Sequence, residues 1–457
     1  MNFKHFLLSL LCVTVVFACS KDDDTANPCD NVNCPEGFTA TVVNDDCECI
    51  DNGGGSSDNI VITGSIATTT WTKDNVYELS GKAVVEDGAT LTIEPGTVIK
   101  ARAGINSLSS ALIIARGGKI MAEGTATEPI IFTAVTDNIQ SGQISSPNLD
   151  ETNNALWGGL IVLGYAPVSA ADGDTEAQIE GIPADDLFGR YGGDDPTDNS
   201  GVIRYVSVRH GGALLGDDNE INGITFGGVG NGTVVENIEV VANLDDGVEF
   251  FGGTVNVTNV VVAYGEDDGL DIDQNYSGTI TNAFVLTSGA TAGDNAVEID
   301  GPEGSTYTDG LFTIKNLTMI DDDGAADTGG DLKASAQGTI DNASWRGFTD
   351  NVKIRSSFQN NCADDKTDAY TNYATAGTLK IINSEWVGNM TTIGDWTTVY
   401  TASEDDDMNE CTVPAAYDGN IDSVLSSGGN AINAAATGGA DATPFAGWSW
   451  VSVNSKL

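Results

Sequence analysis

Eight carboxylates between residues 246 and 300 form the pattern with the most chemical content: Asp246, Glu249, Asp268, Asp271, Asp273, Asp294, Glu298 and Asp300. A turn acid is followed each time by an apolar–acidic–apolar triplet. The three copies are Asp246-Gly247-Val248-Glu249-Phe250, Asp268-Gly269-Leu270-Asp271-Ile272 and Asp294-Asn295-Ala296-Val297-Glu298-Ile299. Strand alternation turns Val248, Leu270 and Val297 inward, and Glu249, Asp271 and Glu298 outward. If successive copies stack as neighbouring strands about 4.8 Å apart, each adjacent pair of carboxylates repels by about 3–4 kcal/mol at an effective dielectric near 20. A hard cation, a raised pKa or plain solvation relieves that repulsion. The oxygen-only donor set suits calcium, which takes six to eight oxygens at flexible angles. No EF-hand loop is present and the RTX nonapeptide does not recur, so a calcium site and a solvated acidic stripe both stay open.

Catalysis by the carboxylates is the third reading. A proton-abstracting partner for it would come from Lys353 or Arg355, downstream of the acids, with Lys333 between. Plain charge pairing with the acid column competes for the same side chains. The two histidines, His5 and His210, form neither a metal cluster nor a triad, and no G-x-S-x-G, P-loop or H-E-x-x-H motif is present.

The elements that would position these acids belong to a repeat. After residue 60 there is little helical periodicity, and short β-branched runs alternate with Gly and Asp/Asn turns. One run recurs as Val234–Val240, Val255–Val262, Ile280–Val285 and Ile314–Met319, with Asn at 237, 259, 282, 316, 342 and 383, in steps of 22, 23, 34, 26 and 41 residues. The acid-bearing strand repeats in step with it, from Asn222-Gly223-Ile224-Thr225-Phe226 to Asp350-Asn351-Val352-Lys353-Ile354. Two or three short strands per turn of about 22 residues make a parallel β-helix. A sandwich gives no such register, and a propeller repeats at about 40 residues. The usual crossover hand makes the helix right-handed. Asn side chains in register would form an amide ladder. Polar inserts at 136–155, 167–200, 356–376 and 403–419 leave the coils as loops, and the aromatic tail Phe445–Val451 is expected to plug the open end of the solenoid.

Composition bounds the partners. A net charge of −48 argues against nucleic acid and against lying on anionic lipid. A hydrophobic share of 40% still allows a large core, which separates this chain from a disordered acidic one.

The N-terminus supplies an address. Lys4 and His5 precede an apolar run, Phe6 to Phe17, too short to span a bilayer. The run ends at Val16-Phe17-Ala18-Cys19, which resembles the lipobox of bacterial lipoproteins. That resemblance makes residues 1–18 a signal peptide and Cys19 the lipidated residue. Ser20-Lys21-Asp22-Asp23-Asp24 resembles the acidic export signal of lipoproteins displayed on the surface of Bacteroidota, so 19–27 is a tether and the location is the cell outer membrane, surface-exposed. Of eight cysteines, six remain: Cys29, Cys34, Cys47, Cys49, Cys362 and Cys411. An even remainder in an exported chain fits three disulfides. Zinc competes for the first four, but their spacing lacks paired C-x2-C knuckles and no His is near. Residues 28–50 resemble part of an EGF-like module, 51–59 read as a Gly/Ser linker, and 60–457 as the β-helix. A Cys362–Cys411 bridge would pin two loops to one edge.

A wider resemblance rests on motifs that occur in order: Leu156-Trp157-Gly158-Gly159-Leu160, Gln178-Ile179-Glu180-Gly181, Arg190-Tyr191-Gly192-Gly193, Asp245-Asp246-Gly247-Val248-Glu249-Phe250-Phe251-Gly252-Gly253 and Glu266-Asp267-Asp268-Gly269-Leu270-Asp271. Over about residues 60–450 the chain resembles a family of Bacteroidota surface lipoproteins with a pectin-lyase-like β-helix and no assigned reaction. Polygalacturonase-like hydrolases use paired carboxylates on one β-helix face, with Gly-His-Gly and Arg-Ile-Lys downstream. Here Arg209-His210-Gly211-Gly212 lies upstream and Lys353-Ile354-Arg355 reads in reverse, which counts against a hydrolase. The reading is therefore a lipid-tethered, non-catalytic β-helix docking a glycan or an envelope protein. A lyase or hydrolase on acidic glycans, and a spacer or adhesin, stand as alternatives.

Overall fold

The structure is a computed structural model and describes residues 38–43, 46–51, 59–104, 109–183, 186–213, 221–288, 293–324, 328–365, 368–401 and 411–457. The chain divides into a unit ending at Ile50 and a unit from Asp51 to Leu457. In the first, Phe38–Val43 and Asp46–Asp51 form a two-stranded sheet. The expectations for Cys19, Asp22, Asp23, Asp24, Cys29 and Cys34, and for the side chains of Cys47 and Cys49, lie outside the described residues.

The second unit is a right-handed parallel β-helix of three sheets. Sheet 1 stacks Ala111–Ile114, Leu160–Leu163, Ile224–Gly227, Val248–Phe251, Leu270–Asp273, Val297–Ile299, Asp331–Leu332, Val352–Ser356 and Thr397–Thr401, each parallel to the next. Sheets 2 and 3 are the two halves of longer strands, Val234–Val241, Asn256–Ala263, Thr279–Thr287, Phe312–Asp321 and Gly338–Arg346. Each bends at the recurring Asn, where φ lies between 56° and 63°. Asn, like Asp, tolerates this left-handed conformation better than most residues with a Cβ. The bend aligns the amides into a ladder: Asn259 Nδ2 donates to Asn237 Oδ1 at 2.9 Å, Asn282 to Asn259 at 2.7 Å and Asn342 to Asn316 at 2.7 Å. At the last coil Asn383 donates instead to Asp341 Oδ1, at 2.8 Å.

The turn glycine between sheets 3 and 1 has a steric cause. A Cβ on Gly223, Gly247 or Gly269 would stand 2.2–2.4 Å from a Cγ1 of Val240, Val262 or Val285. Each Asn-Gly or Asp-Gly pair is thus imposed by the valine beneath it, and the polar residue before the glycine lands at one corner in every coil. The interior is a continuous apolar stack that includes Phe226, Phe250 and Tyr276, with ring centroids 5.4 and 4.6 Å apart.

The C-terminal region departs from expectation. The helix α1, Ala416–Ser427, closes the end of the solenoid, with Ile421 and Leu425 buried in the main core. The aromatic tail is no plug. It runs back along the outside of sheet 3, where Phe445, Trp448, Trp450 and Val451 join Val261, Ala263, Tyr264, Phe284 and Leu286 in a separate apolar cluster. The strand residues Val261 and Phe284 point outward and need a cover, which is why the tail lies there. Two similar clamps fasten it. Glu239 accepts the backbone N–H groups of Trp450 and Val451 at 2.9 and 3.0 Å, and is braced by Ser207 and Arg209. Glu385 accepts those of Thr437 and Gly438, at 2.9 and 3.0 Å to one oxygen, and is braced by Ser344, on which Arg346 leans. Cys362 and Cys411 form the disulfide, with Cα atoms 5.5 Å apart. No helix among the described residues is long and apolar enough to cross a membrane.

Candidate functional site: an acid ladder on sheet 1

The register of sheet 1 aligns one outward column, Thr225, Glu249, Asp271, Glu298, Asp331 and Lys353. Glu249, Asp271 and Glu298 therefore stack, and Asp331 extends the column by one coil. A second column runs through the preceding turn. Asp268 N donates to Asp246 Oδ1 at 3.0 Å and Asn295 N to Asp268 Oδ1 at 2.8 Å, so the residue following Asp246 and Asp268 is Asn295. Asp294 stands in a third, outermost column beside Asp267 and Asp245. The columns interleave into triads whose ligand oxygens lie within 4.8 Å of one another: Asp246, Glu249 and Asp271; Asp268, Asp271 and Glu298; Asp245, Asp246 and Asp267; Asp267, Asp268 and Asp294. Asp273 and Asp300 sit at the far edge, where Asp300 N donates to Ile272 O at 2.7 Å.

A solvated stripe was one expectation for this column, and its centre is not one. Asp246, Glu249, Asp268 and Asp271 are only 4–8% exposed. The cover comes from the 167–200 insert. Its Val168, Ala170, Ile179, Ile182 and Tyr191 pack with Ile161, Leu163 and Phe251 on the outer face of sheet 1. Ser169 N donates to Gln274 O at 2.9 Å, and Tyr191 Oη to Gln274 Oε1 at 2.9 Å. One side stays open as a pocket of about 660 Å³, to which Glu180 of the insert, Leu244 and Glu266 contribute beside the ladder acids. Asp245 and Asp267 were visible in the turn motifs as doubled acids. Asp331 hid in a strand of two residues, and Glu180 reaches the site only through the fold of the insert.

Burial raises the carboxyls of Asp246, Glu249, Asp268, Asp271 and Asp273 well above the usual carboxylate range, and neighbouring acids add to it: Asp268 on Asp246, Asp246 on Glu249, Glu298 on Asp268, Asp273 on Asp271, Asp300 on Asp273. Asp300 is pushed up to about 7, by burial first and Glu298 second. Asn222 donates to Glu249. Asp271 Oδ1 is buried and accepts no hydrogen bond. An acceptor without a donor, buried among carboxylates that repel one another, fits a bound cation, and the oxygen-only donors fit a hard one.

The basic residues stand downstream. Lys333 contacts Glu298. Arg355 Nε donates to Asp331 at 2.8 and 3.1 Å. Lys353 follows Asp331 in register, two coils beyond Glu298. All seven tryptophans are buried, so none lies flat beside the acids. His210, just past the strand Gly201–Arg209, is buried with Nδ1 2.6 Å from Asn153 O, and burial pushes it down to about 4.

Three parallel sheets wound in a right-handed coil, with an acid ladder along one of them, define a parallel β-helix. Residues 63–418 match the pectate-lyase-like beta helix domain, and the chain belongs to that family. No curated protein matches it by sequence. Among solved structures it is similar to the alginate lyase from Paenibacillus sp. str. FPU-7, at 13% identity and a TM-score of 0.32, over 82% of this chain and 97% of that one. It is also similar to the enzymatically active domain of bacteriophage CBA120 tailspike protein 2, at 11% identity and a TM-score of 0.24, over 82% of this chain and 48% of that one. Neither likeness bears on the chemistry of the ladder.

Proposed function

We propose that this β-helix is a non-catalytic docking protein, lipid-anchored at Cys19 on the outer-membrane surface, whose acid ladder carries calcium and presents it to an envelope protein or an acidic glycan. The observation that carries the reading is the buried, unpartnered Asp271 Oδ1 at the junction of two carboxylate triads. Calcium bound to a triad at the open pocket keeps coordination positions for an outside oxygen ligand. The cations nearest the acids support binding over catalysis: Lys333 is engaged by Glu298 and Arg355 by Asp331, which leaves neither poised as a neutral base. The buried tryptophans weigh against stacking of an indole on a neutral sugar ring and favour a ligand read by charge.

Calcium should raise the melting temperature more than magnesium at equal ionic strength, because magnesium demands a tighter octahedron and gives up water reluctantly. At a hundred times Kd, an ion that binds only the folded chain stabilises it by about 2.7 kcal/mol. Equal responses to calcium, magnesium and matched sodium chloride would reduce the effect to screening and sink the reading. The enzyme alternative draws on Asp300, whose carboxyl is pushed up by burial to about 7, the range in which a general acid or base works. Incubation with a panel of uronic-acid glycans decides it: unsaturated or shortened products would replace docking by catalysis.

A further inference from the structure

The two inner triads are successive copies of one arrangement and share Asp271. One is Asp246, Glu249 and Asp271; the other, a coil further on, is Asp268, Asp271 and Glu298. Their surroundings differ. No ion pair among the described residues involves Asp246, Glu249 or Asp271. The second triad has Lys333, whose ammonium contacts Glu298. The register explains its place: Ile299 pairs with Leu332, which sets Lys333 beside Asp300, and Lys333 N donates to Ile299 O at 2.8 Å.

We infer that Lys333, by pairing with Glu298, is a tethered cation that takes the place of a second divalent ion, so that the native ladder takes one divalent ion in the Asp246–Glu249–Asp271 triad. This rests on the calcium reading above. The independent sign that the ladder is built for cations is Asp271, 8% exposed, with Oδ1 accepting no hydrogen bond although it belongs to both triads. Electrostatics favours the division. Two dications on either side of one shared carboxylate repel twice as strongly as a dication and an ammonium at the same separation. The lysine neutralises part of the buried charge without a second ion and leaves the first triad, which borders the pocket through Asp246 and Glu249, for exchangeable metal.

The test is the calcium stoichiometry of the full chain, by titration calorimetry and native mass spectrometry at physiological salt. Lys333→Met keeps the apolar stem and removes the charge; it should bind one ion more than the parent. Lys333→Arg should bind the parent number. The comparison is a difference between proteins, so weak sites on the acidic surface cancel. Lys333→Gln takes the place of the methionine variant if that one loses its strand circular dichroism. A parent that binds calcium tightly, with no added ion in either neutral variant, overturns this inference and leaves the calcium reading standing. An added ion in Lys333→Arg also overturns it. A parent that binds no calcium tightly overturns both.

Discussion

At the scale of single residues, Asp271 is the position on which the site turns. It belongs to both inner triads, and burial raises its carboxyl before any neighbour acts on it. Without metal, an acid whose folded pKa exceeds its unfolded value contributes stability that is fully present below the unfolded pKa and is lost as pH rises through the folded one. For Asp300 that window runs from about 4 in the unfolded chain to about 7 in the folded one, and the other raised acids shift in the same direction. The metal-free protein should therefore melt higher at pH 5 than at pH 8, and saturating calcium should flatten the difference. Asp271→Asn removes one charge from the centre of the ladder. It should melt above the parent at pH 8 without metal, show a smaller pH dependence, and lose most of its calcium increment. A variant that responds to calcium as fully as the parent would place the ion elsewhere.

At the scale of elements, two additions to the solenoid carry the specificity of this chain. The 167–200 insert converts an outward row of acids on sheet 1 into a half-covered pocket. The C-terminal strap covers the apolar outer face of sheet 3 and ends in the two carboxylate clamps, Glu239 and Glu385. Burial opposes the charge on Glu385, but the Thr437 hydroxyl and the amides of Thr437 and Gly438 outweigh it and bring it down to about 2. Glu239 is fully buried against Arg209, which is fully buried too. Removing one partner of such a pair costs about 3–5 kcal/mol. Glu239→Gln should thus accelerate amide exchange in 445–457 by roughly a hundredfold if about 3 kcal/mol of local stability is lost. The sheet 1 strands that carry the ladder should exchange as before. Unchanged exchange in the tail would mean that the aromatic contacts alone hold it.

At the scale of the whole molecule, a repeating scaffold is joined to a proposed address. The solenoid repeats one coil with small changes, and each coil rests on its neighbours alone. The strap and α1 add contacts that a bare repeat lacks. The proposed lipid tether depends on a single atom, the Cys19 sulfur. Cys19→Ala should move the protein from the outer-membrane fraction to the soluble fraction, read by sedimentation and immunoblot, with the β-helix folded as before. Equal sedimentation of the variant and the parent would rule out the lipid tether.

The repeat made the fold legible from the sequence alone. A right-handed solenoid, the inward and outward residues of each coil, the stacking of Glu249, Asp271 and Glu298, and the Cys362–Cys411 bridge follow from a period near 22 residues, two-residue alternation and Cys spacing. Local rules set all of these: Asn at the left-handed bend, Gly where valine leaves no room for a Cβ, parallel pairing of like with like. The tail was misplaced because its aromatics say only that they must be buried. Which apolar surface awaits them, the end of the helix or the flank of sheet 3, is set by Val261, Phe284 and Tyr264, far away in the chain. Burial of the acids was equally out of reach. Alternation shows that Glu249 and Asp271 leave the core. It does not show that an insert about fifty residues upstream folds back across them. Sequence determined what repeats locally; tertiary structure decided what lies over it, because covering a surface is a contact between segments that no local pattern encodes.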